Sequence, residues 1–202
     1  MRPCDEALPP PQRVVTGHAT TGRSTVWQQG VPANVMRLPQ IPGTVFYEIW
    51  NTASVPVLVD NGPDPTTGPL KLQPPKGGSR VRIVDIPPDT EDFLTQGRER
   101  IRDAFRQIGD AAASTAAANS PHPSMHRTLS LDYGFVLQGE ITLILDEGEC
   151  VLKAGDVVVQ RATNHAWANR SGSICRMAFV LLDGELDTDI AESLPKAAMR
   201  QA

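Results

Sequence analysis

No stretch of this chain approaches the roughly 18 consecutive apolar residues of a membrane-crossing helix, so no membrane partner is expected. Positive charge is not in excess either. The 19 Lys+Arg against 23 Asp+Glu leave a net charge of −4, which argues against a nucleic-acid partner, since that would need a clustered basic face. Cysteine is scarce: Cys4, Cys150 and Cys175 are odd in number and lack metal-like spacing. That pattern fits free thiols in a reducing compartment, with a Cys150–Cys175 bridge as the alternative. The opening MRPCDEALPPPQR has no apolar segment of a secretory signal. A cytoplasmic protein is the expectation.

Turn chemistry is plentiful instead. The 16 Gly and 18 Pro among 202 residues suit a β-rich fold better than a helical bundle. At this length one domain with one core is the default. Residues 1–12 are Pro-rich and read as a flexible arm. Arg13–Val15 and Ser24–Trp27 read as short strands around the turn 16–22, where His18 sits. The stretch 43–59 holds two strand patterns broken at Asn51–Ser54. Its Val45, Tyr47 and Ile49 alternate with Phe46, Glu48 and Trp50, and neither face is plainly polar. Ser79–Ile86 (SRVRIVDI) is a strong strand. Arg80 and Arg82 share a face with Val84. They read either as a solvated edge or as cations aimed at an anionic ligand group.

Asp89 or Thr90 can cap the helix that follows, placed at about 90–113. Leu94, Ile101, Phe105, Ile108 and Ala112 fall near a helical period. This helix interrupts the strands. From Met125 to Phe179 short strands and turns come in quick succession, as in a closed barrel or sandwich. Alternation puts His126, Thr128, Ser130 and Asp132 on one polar side. A second segment, His165-Ala166-Trp167-Ala168-Asn169, puts His165, Trp167 and Asn169 on one face. Two His from separate strands, with a carboxylate beside them, could hold a metal in a pocket. They could equally act metal-free, because imidazoles exchange protons near neutral pH and Asp132 can orient one of them.

The same 55 or so residues resemble the cupin superfamily, whose dense motifs set the order of that count. The family's first motif places its first His on His126, its second His on Thr128, its Glu on Asp132 and its closing Gly on Gly139. The second motif matches Gly155, His165 and Asn169, while its Pro-x-Gly falls on Arg161-Ala162-Thr163. The resemblance implies an all-β jelly-roll barrel with one inserted α-helix. It places a single domain over 13–185, with its core motifs at 125–180 and a C-terminal tail at 186–202. It further implies a pocket in the barrel mouth and a homodimer formed through N-terminal strands. His126, Asp132 and His165 would make a two-His-one-carboxylate set for a divalent metal such as Fe, Zn, Ni or Mn, or work without one. No nucleotide cofactor is expected.

The expected activity is that of an enzyme on a polar, oxygenated or carboxylated small-molecule substrate. Its class would be isomerase, dehydratase or decarboxylase. His126, His165 and Asp132 would be catalytic. Thr128, Ser130, Tyr133, Gln160, Trp167, Asn169, Arg80 and Arg82 would bind substrate, with Phe135 as a further aromatic wall. A metal-dependent oxygenase and a non-catalytic small-ligand binder are the alternatives.

Overall fold

β-branched residues alternating with charged ones make Ser79–Ile86 a strand, and it lies in the middle of a sheet. The computed structural model describes residues 7–194. The first half of the expected arm, Cys4 and the end of the expected tail lie outside the described residues. The order is β1 (Arg13–His18), β2 (Ser24–Gly30), β3 (Val35–Arg37), β4 (Val45–Thr52), β5 (Ser79–Ile86) and helix α1 (Glu91–Gln107). Then follow β6 (Ser130–Gln138), β7 (Glu140–Leu145), β8 (Glu149–Lys153), β9 (Val157–Arg161), β10 (His165–Ala168), β11 (Cys175–Asp183) and a short helix α2 (Thr188–Ser193).

The fold is an all-β jelly roll with a helix inserted between β5 and β6. One sheet runs β3-β4-β5-β11-β6-β9 and a second runs β10-β7-β8, while β1 and β2 form a separate hairpin. Every pairing is antiparallel. The two main sheets face each other across a core of Val136, Ile141, Leu143, Leu152, Cys175 and Met177. Gly139 turns the chain from β6 into β7 with φ +83°. A Cβ there would come within 3.0 Å of the Ile174 carbonyl oxygen, so the turn requires glycine.

Helix α1 begins where Thr90 caps it, the Thr90 hydroxyl accepting from the Phe93 N–H at 3.1 Å. Its Ile101, Ala104, Phe105 and Ile108 pack on Leu38, Leu70 and Leu72. It is shorter than expected. It ends at Gln107, and the remainder is a single 3-10 turn at Ala111–Ala113. Leu94 lies on the outer side, half exposed, and Phe93 faces inward instead. No helix of the described residues is long and apolar enough to cross a membrane.

Two other expectations change. The second strand over 55–59 is absent, and Val55, Leu58 and Val59 are exposed. Its apolar composition mimics a strand, but no neighbouring strand pairs with it. Within the tail, Thr188–Ser193 form α2. Arg80 and Arg82 are not a solvated edge. β5 lies between β4 and β11, so its arginine face is buried and both residues pair with Glu48 of β4, at 2.5 and 2.9 Å. Cys150 and Cys175 are both free thiols, one exposed and one buried.

Candidate functional site

The inner face of the six-stranded sheet, helix α1 and strand β10 enclose a cavity of about 290 Å³. Its walls are largely apolar, with Phe46, Phe93, Ile101, Phe105 and Phe179 prominent. Arg82, His126, Thr128, Asp132 and His165 supply the polar part.

His126 precedes β6 and His165 opens β10. The two residues form an isolated antiparallel bridge. The His126 N–H donates to the His165 carbonyl at 2.8 Å, and the His165 N–H donates back at 2.9 Å. This pairing sets the imidazoles 4.2 Å apart, centroid to centroid. The His126 Nδ1 lies 2.9 Å from the Ser124 carbonyl oxygen, and the His165 Nδ1 lies 3.0 Å from that of Thr163. A carbonyl only accepts, so both Nδ1 atoms carry the proton. Each neutral ring therefore keeps a lone pair on Nε2. Burial lowers the pKa of both imidazoles, and that of His165 falls well below the usual range, helped by His126. The pair is neutral at physiological pH.

Asp132 enters the cavity from β6. Burial raises its carboxyl to about 6, opposed by the neighbouring Ser130 hydroxyl and by the Arg82 charge. Its Oδ1 is buried with no hydrogen-bond partner. Burial pulls the Arg82 guanidinium down to about 10, which leaves it charged at neutral pH. Trp167 extends the polar group into an aromatic row, 5.5 Å from His165 and 5.4 Å from Phe179.

The structure brings only part of the expected set together. His126, Thr128, Asp132, His165, Trp167 and Arg82 share the cavity. Ser130 is buried beside it and donates to the Thr128 hydroxyl at 2.9 Å. Gln160 is turned to Thr163, its amide donating to that residue's carbonyl at 3.2 Å. Asn169 is wholly buried and holds a turn, its amide donating to the Ile86 and Ser173 carbonyls. Tyr133 lies outside the cavity lining, and Phe135 is on the outer face, exposed. Arg80 lies beside a different cavity, of about 570 Å³, away from the histidines. Alternation alone cannot separate residues that touch a cavity from residues one layer behind it.

The expected metal triad falls short on its donor set. Among the described residues no group of three or more His, Cys, Asp or Glu side chains could hold one ion. Two imidazole lone pairs are available, but Asp132 does not close up with them as a third ligand. Thr128, at the family's second His position, supplies only a hydroxyl. Sequence reasoning missed Asp89, Phe93 and Ser124, which also line the cavity. The signal for Ser124 is the His-Pro-Ser segment at 122–124, two residues before His126.

A family model described as a cupin domain matches residues 115–188. The chain is 36% identical over 183 residues to phomopsin biosynthesis cluster protein C' of Diaporthe leptostromiformis, covering 87% of this chain and 79% of that protein. The chain belongs to the cupin family. This cupin is also 31% identical over 178 residues to the cupin-domain-containing oxidoreductase fogC of Aspergillus ruber, covering 85% of this chain and 71% of that one. A solved structure of a Cupin 2 conserved barrel domain protein from Salinispora arenicola aligns with 79% of this chain and 87% of its own. It does so at 14% identity and a TM-score of 0.37.

Proposed function

We propose that this cupin is a small-molecule enzyme that moves protons on an oxygenated substrate, of the isomerase, dehydratase or decarboxylase class. The observation that carries the reading is the Asp132 carboxyl. It is buried with one oxygen unpartnered, its pKa is raised to about 6, and it shares a cavity with two neutral imidazoles. A carboxyl near 6 exchanges protons efficiently at neutral pH. The Nε2 lone pairs of His126 and His165 supply bases, and Arg82 supplies a fixed positive charge for developing anion. The apolar walls narrow the substrate. It would have an apolar or aromatic body with its oxygen-bearing or carboxylate end toward Asp132, Arg82 and the histidines. Such chemistry fits the setting of the phomopsin relative, named for a biosynthesis cluster.

The test is solvent isotope incorporation. Candidate substrates turned over in D2O should take up deuterium at the reacting carbon. Asp132→Asn and His165→Gln should each lower kcat by about 10²- to 10⁴-fold with the fold intact. Unchanged turnover in both variants would remove the proposal.

A second reading, oxidoreductase, is favoured by the printed name of the Aspergillus ruber relative. It requires a redox group, and the two imidazoles alone are an incomplete ligand set for a metal. Oxygen consumption on turnover, with loss of activity after chelation and its return on adding metal, would favour this reading over the first.

A further inference from the structure

The segment His122-Pro123-Ser124 lies against the loop that joins β5 to α1. His122 is only 3% exposed. Its Nδ1 is 2.6 Å from the Ser124 hydroxyl and accepts the Ser124 backbone N–H at 3.2 Å. A ring nitrogen that accepts a backbone N–H carries no proton itself. The His122 proton is therefore on Nε2, which faces the Asp89 carboxylate at 3.3 Å. The Ser124 hydroxyl must then donate to Nδ1. Nucleophile, base and orienting carboxylate stand in sequence, each in hydrogen-bond reach of the next. Ser124 and Asp89 both line the cavity.

The surroundings hold this set in place. The Asp89 N–H donates to the Asn169 carbonyl at 2.7 Å. The Phe93 ring lies 5.8 Å from the His122 ring. The Ser124 carbonyl accepts from His126. Thr90 and Asp92, from the start of α1, line the same cavity. In the first α1 turn the Phe93 N–H is taken by the Thr90 hydroxyl, and the Glu91 and Asp92 N–H groups precede the first helical bond, from the Leu94 N–H to the Thr90 carbonyl. Such groups stabilise an oxyanion.

We propose that Ser124, His122 and Asp89 form a second catalytic centre that transfers acyl groups, and that its substrates are esters whose apolar part fits the cavity. In the first step the Ser124 Oγ bonds to the ester carbonyl carbon while His122 Nδ1 takes the hydroxyl proton. The carbon–oxygen ester bond breaks, and the leaving alcohol takes that proton. Water then adds to the acyl–Ser124 ester, giving a proton to His122. The acyl–Oγ bond breaks, the acid departs, and the proton returns to Ser124. No metal, oxidant or cofactor enters the balance.

This centre shares the cavity with Asp132, His126 and His165 but uses different side chains, and its test reads Ser124 alone. The full chain is incubated with an alkyl fluorophosphonate and then with p-nitrophenyl butyrate. Intact mass should show a single phosphonyl adduct, mapped by peptide sequencing to Ser124. Ester hydrolysis should stop as the adduct forms. Ser124→Ala should abolish both signals. His122→Gln and Asp89→Asn should slow labelling at least 10-fold with an unchanged melting temperature. Should Ser124→Ala fail to fold, Ser124→Cys serves. Its alkylation by iodoacetamide should slow at least 10-fold when His122→Gln is added. An unlabelled folded wild type, an adduct elsewhere, or equal labelling in His122→Gln would overturn the proposal.

Discussion

The His126 and His165 imidazoles lie 4.2 Å apart, and each gives its Nδ1–H to the carbonyl two residues before it. The symmetry follows from the antiparallel bridge, which puts the two residues in register with similar local backbones. It fixes both tautomers without any third side chain.

The first prediction concerns protonation. Burial depresses both imidazoles, His165 more deeply. The unfolded chain takes up these protons near pH 6.5, whereas the folded protein resists them. Stability contributed by the neutral pair is therefore present above about pH 6.5 and is lost as pH falls below it. Nitrogen-15 NMR at pH 7 should show Nδ1–H tautomers for both rings, with His165 taking up a proton only well below the ordinary imidazole range. A His165 that protonates at an ordinary pH would contradict this account.

Asp132 acts in the opposite sense. Its carboxyl moves from 3.8 to about 6 on folding. The folded protein holds a proton that the unfolded chain releases, so stability is lost as pH rises through about 4 to 6. A shift of this order costs up to about 3 kcal/mol at pH 7. Asp132→Asn keeps the shape and removes the charge. It should raise stability by about 1–2 kcal/mol at pH 7.5 and leave it unchanged near pH 4, while activity falls. Urea unfolding at the two pH values checks this. Equal effects at both would mean the carboxyl is not destabilised by burial.

These residues also show what the sequence made legible. The polar alternation from His126 to Asp132 put that His on an inward face, and the likeness of Gly155 to Asn169 to the cupin second motif implied the barrel that carries both His. Period-2 alternation specifies faces directly. It could not say which inward residues touch the cavity. Gln160 and Asn169 face inward but bond to turns. Nor could it foresee Glu48. The two arginines on β5 looked like edge charges because their partner Glu48 lies on β4, 32 residues from Arg80, a distance no local pattern spans. His122 sits between Pro121 and Pro123, where no local pattern marks it. It is buried against Asp89 of the β5–α1 loop and the Phe93 ring.

Glu48 carries the third prediction. It is 1% exposed and pairs with both Arg80 and Arg82, which are themselves buried. Two cations depend on one carboxylate. Removing one partner of a buried pair leaves uncompensated charge, typically at about 3–5 kcal/mol. Glu48→Gln should destabilise by about that amount. The double change Glu48→Gln with Arg80→Met should recover part of it, since one orphan cation is then gone. Equal unfolding midpoints for wild type and Glu48→Gln would show that the arginines find other partners.

The last prediction concerns the cavity wall. Gly97 lies in the middle of α1, where glycine costs about 1 kcal/mol relative to alanine. Its lack of a side chain makes room for the Phe93 ring, since a Cβ would fall 2.7 Å from Phe93 Cδ2. Phe93 lines the cavity and also contacts His122. Gly97→Ala should gain helix propensity yet displace the ring, so the two effects nearly cancel in stability. Binding should not be spared. The affinity of an apolar dye such as anilinonaphthalene sulfonate should change about 5-fold or more, because a wall contact worth about 1 kcal/mol is altered. The Trp167 fluorescence response to the dye should change with it. Phe93→Ala, which empties the same wall, should also change dye affinity in the protein that folds. Unaltered dye affinity in both variants would mean that Phe93 does not shape the bound state.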